Sequence, residues 1–320
     1  MSRSVLVLGG AGFLGSHVVE RFLHAGDRVT VVDGLLPGTG GRAENLGSFE
    51  GDLRVFLTAI EETTELLALV EESEIIIDSM AWTAHHLALR EPLRDLHLNT
   101  ASHLPLIAAL QAAPRGGPEK TVIYLGSRGQ YGKVASAEIR EETPMVPEDV
   151  QGIHKLAAES HFRVYARQGR FHAQSLRLGN CFGVRQPREG EDLGLIGGFV
   201  RDLLAGRTVE VYGGPRMRYL VHAPDVAEVV FQLAGLRISG FSAFNFAGHA
   251  ISVEALSRRL HALLGCGKVE VRPMPEEVSR LDVGDAVFSD ARLREVLPGL
   301  TLTPLDEALA GLVQYFRAAG

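Results

Sequence analysis

The stretch that most constrains this chain runs from Val5 to Asp33. Val5-Leu6-Val7-Leu8 is a short apolar run without helical period. It opens directly into Gly9-Gly10-Ala11-Gly12-Phe13-Leu14-Gly15, and a helical pattern follows from Ser16 to about Ala25. A second strand, Arg28 to Val32, ends in Asp33. Strand, glycine-rich turn, helix, strand and acid form the βαβ unit that holds a dinucleotide. One glycine lets the chain turn off the strand, one lets backbone approach a pyrophosphate, and one lets helix and strand pack closely. The first helical amides then face the phosphates, where the helix dipole favours negative charge. A carboxylate at Asp33 accepts from both ribose hydroxyls and repels a 2′-phosphate, so NAD is expected over NADP.

The remaining chain repeats the alternation. Strands are expected at Val55–Thr58, Glu74–Ile77, Thr121–Leu125, Ala173–Leu178, Val209–Tyr212 and Phe244–Phe246. Helices are expected at Glu61–Glu72, Leu93–Ala113, Gln151–Gln168, Ser252–Leu264 and Leu305–Phe316, with Leu35–Gly51 and Pro187–Gly198 as loops. This spacing predicts an α/β fold, a Rossmann-type doubly wound parallel sheet with a smaller mixed α/β C-terminal substrate domain. Residues 1–178, with 219–247 returning to them, are expected to form the NAD-binding domain. Residues 179–218 and 248–320 are expected to form the substrate-binding domain.

Composition narrows the function. A net charge of −7 offers no basic face for nucleic acid. Cys181 and Cys266 are the two cysteines of the 320 residues, too few for a disulfide framework or a zinc site. No metal is expected. No apolar run approaches ~18 residues, so no membrane span is expected. The first strand starts right after Met1-Ser-Arg-Ser4, leaving no room for a signal peptide, and a cytoplasmic location is expected.

Ligands in such sheets sit beyond the carboxyl ends of the strands. Three further turns lie on that edge: Asp78-Ser-Met-Ala81-Trp82, Gly126-Ser127-Arg128-Gly129-Gln-Tyr131-Gly132, and Gly179-Asn180-Cys-Phe-Gly183. With Lys155 and Glu159 one helical turn apart, this set resembles the extended short-chain dehydrogenase/reductases, specifically the nucleotide-sugar epimerase and dehydratase family. The resemblance spans essentially the whole chain. Gly9, Gly12 and Gly15, Asp33 and Asn45-Leu46 match the cofactor segment, and Asn99 matches an asparagine of the family's fourth helix. Phe13, Leu14, Ile60, Ala81 and Lys155 complete the cofactor contacts it implies. Thr143-Pro144, Pro147, Gly152, Glu159, Arg177 and Gly183 follow in register. Ser127 matches the residue that bonds the sugar's reacting oxygen. Asn180, Arg218 and Arg280 match positions that meet the substrate's diphosphate. A homodimer through two helices is also implied.

The departures bear on chemistry. The family carries its acid/base tyrosine four residues before the lysine, where this chain has Gln151. A carboxamide has no proton to exchange near neutral pH. His154, three residues from Gln151 on a helix, is a candidate substitute, as are Tyr131, His85 and His86, although a solvated helix position is the expected one for each histidine. The acid pair of the dehydratases is replaced by Arg128 and Gly129, which disfavours dehydration and sugar-acid decarboxylation. Arg128 suits a carboxylate or phosphate. The family's adenine-contacting aspartate is Ala59; Asp52-Leu53-Arg54 resembles that motif but is expected to precede the third strand. The resemblance thus implies an NAD-dependent epimerase acting on a nucleotide-diphosphate sugar by transient oxidation at C4. A catalytically idle binding protein, and an atypical reductase or dehydratase, remain open beside it.

Overall fold

The computed structural model describes residues 2–47, 49–114, 119–134, 137–190, 193–213, 216–275 and 286–318. Its strands are β1 (Ser4–Leu8), β2 (Arg28–Val32), β3 (Leu53–Phe56), β4 (Ile75–Asp78), β5 (Thr121–Ser127), β6 (Glu138–Ile139), β7 (His172–Leu178), β8 (Asn180–Phe182), β9 (Thr208–Tyr212), β10 (Met217–His222), β11 (Phe241–Phe246), β12 (His249–Ser252), β13 (Lys268–Arg272) and β14 (Val287–Phe288). The helices used below are α1 (Phe13–His24), α2 (Leu66–Glu72), α3 (His85–Arg90), α4 (Pro92–Asn99), α5 (Leu104–Ala112), α6 (Val150–Ala166), α7 (Gly194–Leu204), α8 (Ala223–Ala234) and α9 (Val253–Leu264).

Seven strands form one sheet in the order β11-β7-β5-β4-β1-β2-β3, and every pairing in it is parallel. The expected Rossmann-type fold is therefore the observed one. Strands buried on both faces need no polar alternation, and Ile75-Ile76-Ile77 shows why: Ile75 and Ile77 enter one core, Ile76 the other. Val5 and Val7 likewise face α1 and α8, while Leu6 and Leu8 face α2, α5 and α6. Each such side chain, fully buried, contributes roughly 1.5–3 kcal/mol. The chain order reverses between β1 and β4, and the loops diverging there leave a crevice at the carboxyl edge.

A third core joins α7, α9, β9, β10 and the helix Leu305–Arg317. Above it lie a sheet of order β12-β10-β8 and two small parallel pairs, β13-β9 and β14-β6.

Several expected boundaries move, for local reasons. The third strand is Leu53–Phe56 rather than Val55–Thr58. It is the sheet's edge and half-exposed, so its apolar pattern carries little register information, and pairing with Val29–Val32 decides the position. Leu53 and Arg54 consequently lie inside the strand, with Asp52 just before it, at the end remote from the carboxyl edge. The expected helix Glu61–Glu72 is split into a 3₁₀ turn (Ile60–Glu62) and α2, because the Thr63 hydroxyl donates back to the Ala59 carbonyl. The expected Leu93–Ala113 helix is divided at Thr100, whose hydroxyl donates to the His154 carbonyl, and α5 restarts with Pro105 in its first turn. Gly194–Gly198, expected as loop, opens α7. Arg280 lies outside the described residues.

Candidate active site

A cleft of about 670 Å³ opens at the carboxyl edge, lined by the turns after β1 to β5, by the β7–β8 junction, and by the first turns of α6 and α7. It has a glycine-lined end and an end where polar side chains converge.

At the first end the chain leaves β1 through Gly9, whose φ is +74°, a conformation available to glycine at little cost. Gly15 sits so close to this turn that a Cβ there would lie 2.1 Å from the Gly9 carbonyl oxygen. The first turn of α1 therefore stands directly over the turn, with Phe13 and Leu14 at the cleft. Asp33 ties the pieces together: Oδ2 accepts from the Ala11 amide at 2.9 Å and Oδ1 from the Leu35 amide at 2.8 Å. Burial pushes its carboxyl above the ordinary range, against the opposing pull of these amides. Asn45 donates to the Ala11 carbonyl at 2.8 Å, fastening the following loop onto the same turn. Ala59, Ile60 and Ala81 line the wall beyond.

At the second end the turn after β5 is a capping box. The Ser127 hydroxyl accepts from the Gly129 amide, and the Gln130 side-chain Oε1 accepts from the Ser127 amide at 2.7 Å. Gln130 is itself held by Glu159 at 2.8 Å, which also receives Ser175 and both ends of the Arg177 guanidinium. Lys155, 4% exposed, donates to the carbonyls of Met80 and Leu125 at 3.3 and 3.2 Å. Burial lowers its ammonium to about 8, while Asp78 and Asp95 oppose the shift. Gln151 is equally buried and donates to the Trp82 carbonyl at 2.7 Å.

Ser127, Arg128, Gln151, Lys155, Asn180 and Arg218 thus share one cleft with Gly9, Gly12, Gly15 and Asp33. Two expected site residues do not line it. His154 turns to the buried Asp95, its Nδ1 2.5 Å from Oδ1, because three positions along α6 from Gln151 is far enough to face α4 instead. Asn99 is fully buried, accepting from the Trp82 amide and donating to the Trp82 carbonyl and Asp95; it shapes the β4–α3 loop from behind. Tyr131 is also removed from the reckoning: its phenol is bound between Asn245 and Arg177, and burial pushes it up to about 12.

Arg216 and Asp149 were not among the expected site residues, and His85 was expected at the surface. Arg216 joins Arg128 and Arg218 at the cleft. His85, weighed as a surface residue, lines it as well, its Nδ1 3.4 Å from Asp149 Oδ2. Asp149 carried a legible signal, since Asp before a helix with an amide donor three residues on is an N-cap pattern. The pairing with His85 spans a sequence distance that no local pattern encodes.

The sequence pattern of the NAD dependent epimerase/dehydratase family matches residues 5–243. The chain belongs to that family. It is 31% identical to a UDP-glucose 4-epimerase of Mycolicibacterium smegmatis, over 98% of each chain. Among solved structures, the UDP-glucose 4-epimerase of Thermotoga maritima with UDP-glucose superposes with a TM-score of 0.84 at 26% identity, covering 99% of both chains. That of Thermus thermophilus with NAD gives 0.81 at 26% identity, covering 99% of this chain and all of the other. The protein is an NAD-dependent enzyme of this family, and the glycine-lined end fits that cofactor: Gly9, Gly12, Gly15, the first turn of α1 and Asp33 line one end of the cleft together. Among the described residues no group of His, Cys, Asp and Glu is arranged to hold a metal ion, and no helix is long and apolar enough to cross a membrane.

Proposed function

We propose that the protein is an epimerase of a nucleotide-diphosphate hexose acting at the sugar's C4, with an active site that works without the customary tyrosine. The observation carrying this reading is the union, in one cleft, of a cofactor cradle with Ser127, Lys155 and the cations Arg128, Arg216 and Arg218. Three guanidiniums beside Asn180 suit a diphosphate, which arginine binds through paired donors. Gly129, lacking a side chain, offers no acid or base for dehydration. NAD, when bound, would supply a reversible hydride acceptor, taking the hydrogen and two electrons from C4 and giving them back to the other face of the 4-keto sugar. Glycine turn, helix start and Asp33 hold it; Lys155 steadies its ribose; Ser127 holds the reacting oxygen. The same reading divides the chain at residue 178, residues 1–178 with 219–247 serving the cofactor and the rest the sugar.

UDP-glucose carrying deuterium at C4 is expected to yield UDP-galactose. Absence of C4-epimerised product, with the label retained at C4, across UDP- and dTDP-hexoses overturns the proposal. A second reading, an idle nucleotide-sugar-binding protein, is favoured by one observation: Gln151 is already committed to the Trp82 carbonyl. Gln151→Tyr separates the two. A phenol must displace that hydrogen bond in a buried position, so the rebuilt site is expected to lose activity by about tenfold or more. A gain of activity supports the idle site.

The family resemblance also leads us to propose a homodimer. Leu89 and Leu93, 67% and 79% exposed, with Leu96 and, on α6, Ile153 and Val164, give an apolar surface for it. Sedimentation is expected to show a dimer that Leu93→Glu dissociates; a monomer throughout removes this assignment.

A further inference from the structure

The buried polar groups of the cleft leave the proton of the sugar hydroxyl without an assigned acceptor. We propose that His85 is the acid/base that moves this proton and that Asp149 is its positioning residue. The proposal rests on the epimerase reading above.

His85 is the first residue of α3 and lies on the cleft wall shared with Ser127, Gln151 and Lys155. Its imidazole side chain is half-exposed, so a substrate can reach it, and its Nδ1 is 3.4 Å from Asp149 Oδ2. Asp149 cannot wander. Its other oxygen caps α6, accepting from the Gly152 amide at 2.6 Å. One carboxylate oxygen thus holds the helix and the other meets the ring. A histidine whose Nδ1–H donates to a carboxylate presents Nε2 as the base, and its protonated form is stabilised by the same partner. Asp149 responds accordingly: burial raises its carboxyl, but the hydrogen bonds from His85 and Gly152 outweigh this and hold it below the ordinary range.

The pair lines the same cleft as Gln151 and borders it along the chain. Asp149 precedes Gln151 by two residues, and the Trp82 carbonyl that Gln151 holds precedes His85 by three. Gly152 is packed on the Ser127 turn so closely that a Cβ there would lie 2.6 Å from the Gly129 carbonyl. The first turn of α6, the β4–α3 loop and the turn bearing Ser127 therefore converge on one end of the cleft. The charged groups lining that end with His85 are Asp149 and Lys155 from α6 and Arg128 from the turn after β5.

Several other titratable side chains of the region are engaged elsewhere, and the Tyr219 ring packs with Tyr131 and Phe288. The Tyr131 phenol is sealed between Asn245 and Arg177, and His154 faces Asp95. Burial pushes the Cys181 thiol up to about 12. Lys155 directs its ammonium at two backbone carbonyls. Asp33 and Glu61 belong to the end beyond β2 and β3.

In the proposed step the hydroxyl O–H bond of the sugar breaks, its proton passes to Nε2 of His85, and its electron pair stays on the sugar oxygen. In the return step Nε2 gives the proton back to that oxygen, so the ring ends as it began.

The test uses the full chain with NAD and UDP-glucose. His85→Gln is expected to lower kcat by ~10²–10⁴-fold with KM little changed. Asp149→Asn keeps an N-cap acceptor but removes the charge that stabilises the imidazolium, so the acidic limb of the pH–rate profile is expected to move to lower pH. Independently of turnover, the ring proton signals of His85 in NMR spectra are expected to shift when UDP-glucose is added. His85→Gln activity within about threefold of wild type overturns the assignment. So does an unmoved acidic limb in Asp149→Asn, or a His85 signal that UDP-glucose leaves in place. If His85→Gln instead weakens UDP-glucose binding in calorimetry by about tenfold or more, the residue is a binding group and the acid/base role falls. A wild type without turnover overturns the epimerase reading and this one together. An active wild type matched by an equally active His85→Gln overturns this one alone.

Discussion

Replacing Glu159 by alanine is expected to cost about 3–5 kcal/mol of folding stability, the range for removing one partner of a buried ion pair. Arg177 is 3% exposed and its guanidinium is gripped by both Glu159 oxygens. Without them a cation stays buried with, among the described residues, the Tyr131 hydroxyl and the Glu141 carbonyl as its remaining acceptors. Ser175 and Gln130 lose their acceptor at the same time. Denaturant unfolding measures the loss; a change below about 1 kcal/mol contradicts the account. The site is expected to suffer as well, since Gln130 fixes the Ser127 amide and Glu159 fixes Gln130. Glu159→Gln is therefore expected to fall between wild type and alanine.

The same carboxylate sets a pH dependence. Burial raises Glu159, but hydrogen bonds and charge from Arg177, with Ser175 and Gln130, outweigh it and leave the folded-state value below the ordinary one. A depressed carboxylate stabilises the fold fully above its unfolded value of ~4.3 and loses that contribution as pH falls through the lower folded value. The Glu159 contribution is expected to be flat from neutrality to about pH 5 and to be lost on further acidification, as pH falls through the lower folded value. The alanine variant is expected to lack this acid-side component, which unfolding curves at several pH values will show.

The second large effect is expected at Gly15. A methyl group there would lie 2.1 Å from the Gly9 carbonyl oxygen, 2.7 Å from Ser79 Oγ and 2.9 Å from Gly10 Cα. Two of these neighbours are backbone and cannot rotate aside. Gly15→Ala must then lift the first turn of α1 off the glycine turn, breaking the close approach that lets backbone amides meet a pyrophosphate. NAD affinity is expected to fall by about 100-fold, with overpacking costing about 1–3 kcal/mol in stability. Calorimetric titration with NAD and a thermal melt read the two quantities separately. Unchanged affinity in a folded variant contradicts the cofactor placement at this end. Gly198, which has nothing near it, provides the control: a methyl group meets no atom there, so Gly198→Ala is expected to leave NAD binding intact.

Which parts of this protein were legible in its sequence follows from how local each determinant is. The βαβ unit was readable because strand, turn, helix and Asp33 lie within one contiguous stretch, and each residue type has a backbone reason to be there. The central strands were readable because a strand covered on both faces must be apolar throughout, as Ile75-Ile76-Ile77 is. The edge strand was misplaced by two residues because, half-exposed, its pattern satisfies either register, and only pairing with β2 chooses. Gln151 could be read as a carboxamide with no proton to give, since chemistry belongs to the residue type. What it does could not be read, because the Trp82 carbonyl it holds lies 69 positions away in the chain. His154 and His85 show the division most plainly. Helical spacing placed the first near Gln151, yet packing of α6 on α4 turns it toward Asp95. The second was legible as a candidate on an active-edge turn, but its sequence did not record a partner; it is brought to the cleft and to Asp149 because the β4–α3 loop folds against the start of α6. Sequence determined the fold and the cofactor through periodicity and backbone need; tertiary structure alone decided which polar side chains meet, because that depends on distances between segments that no local pattern records.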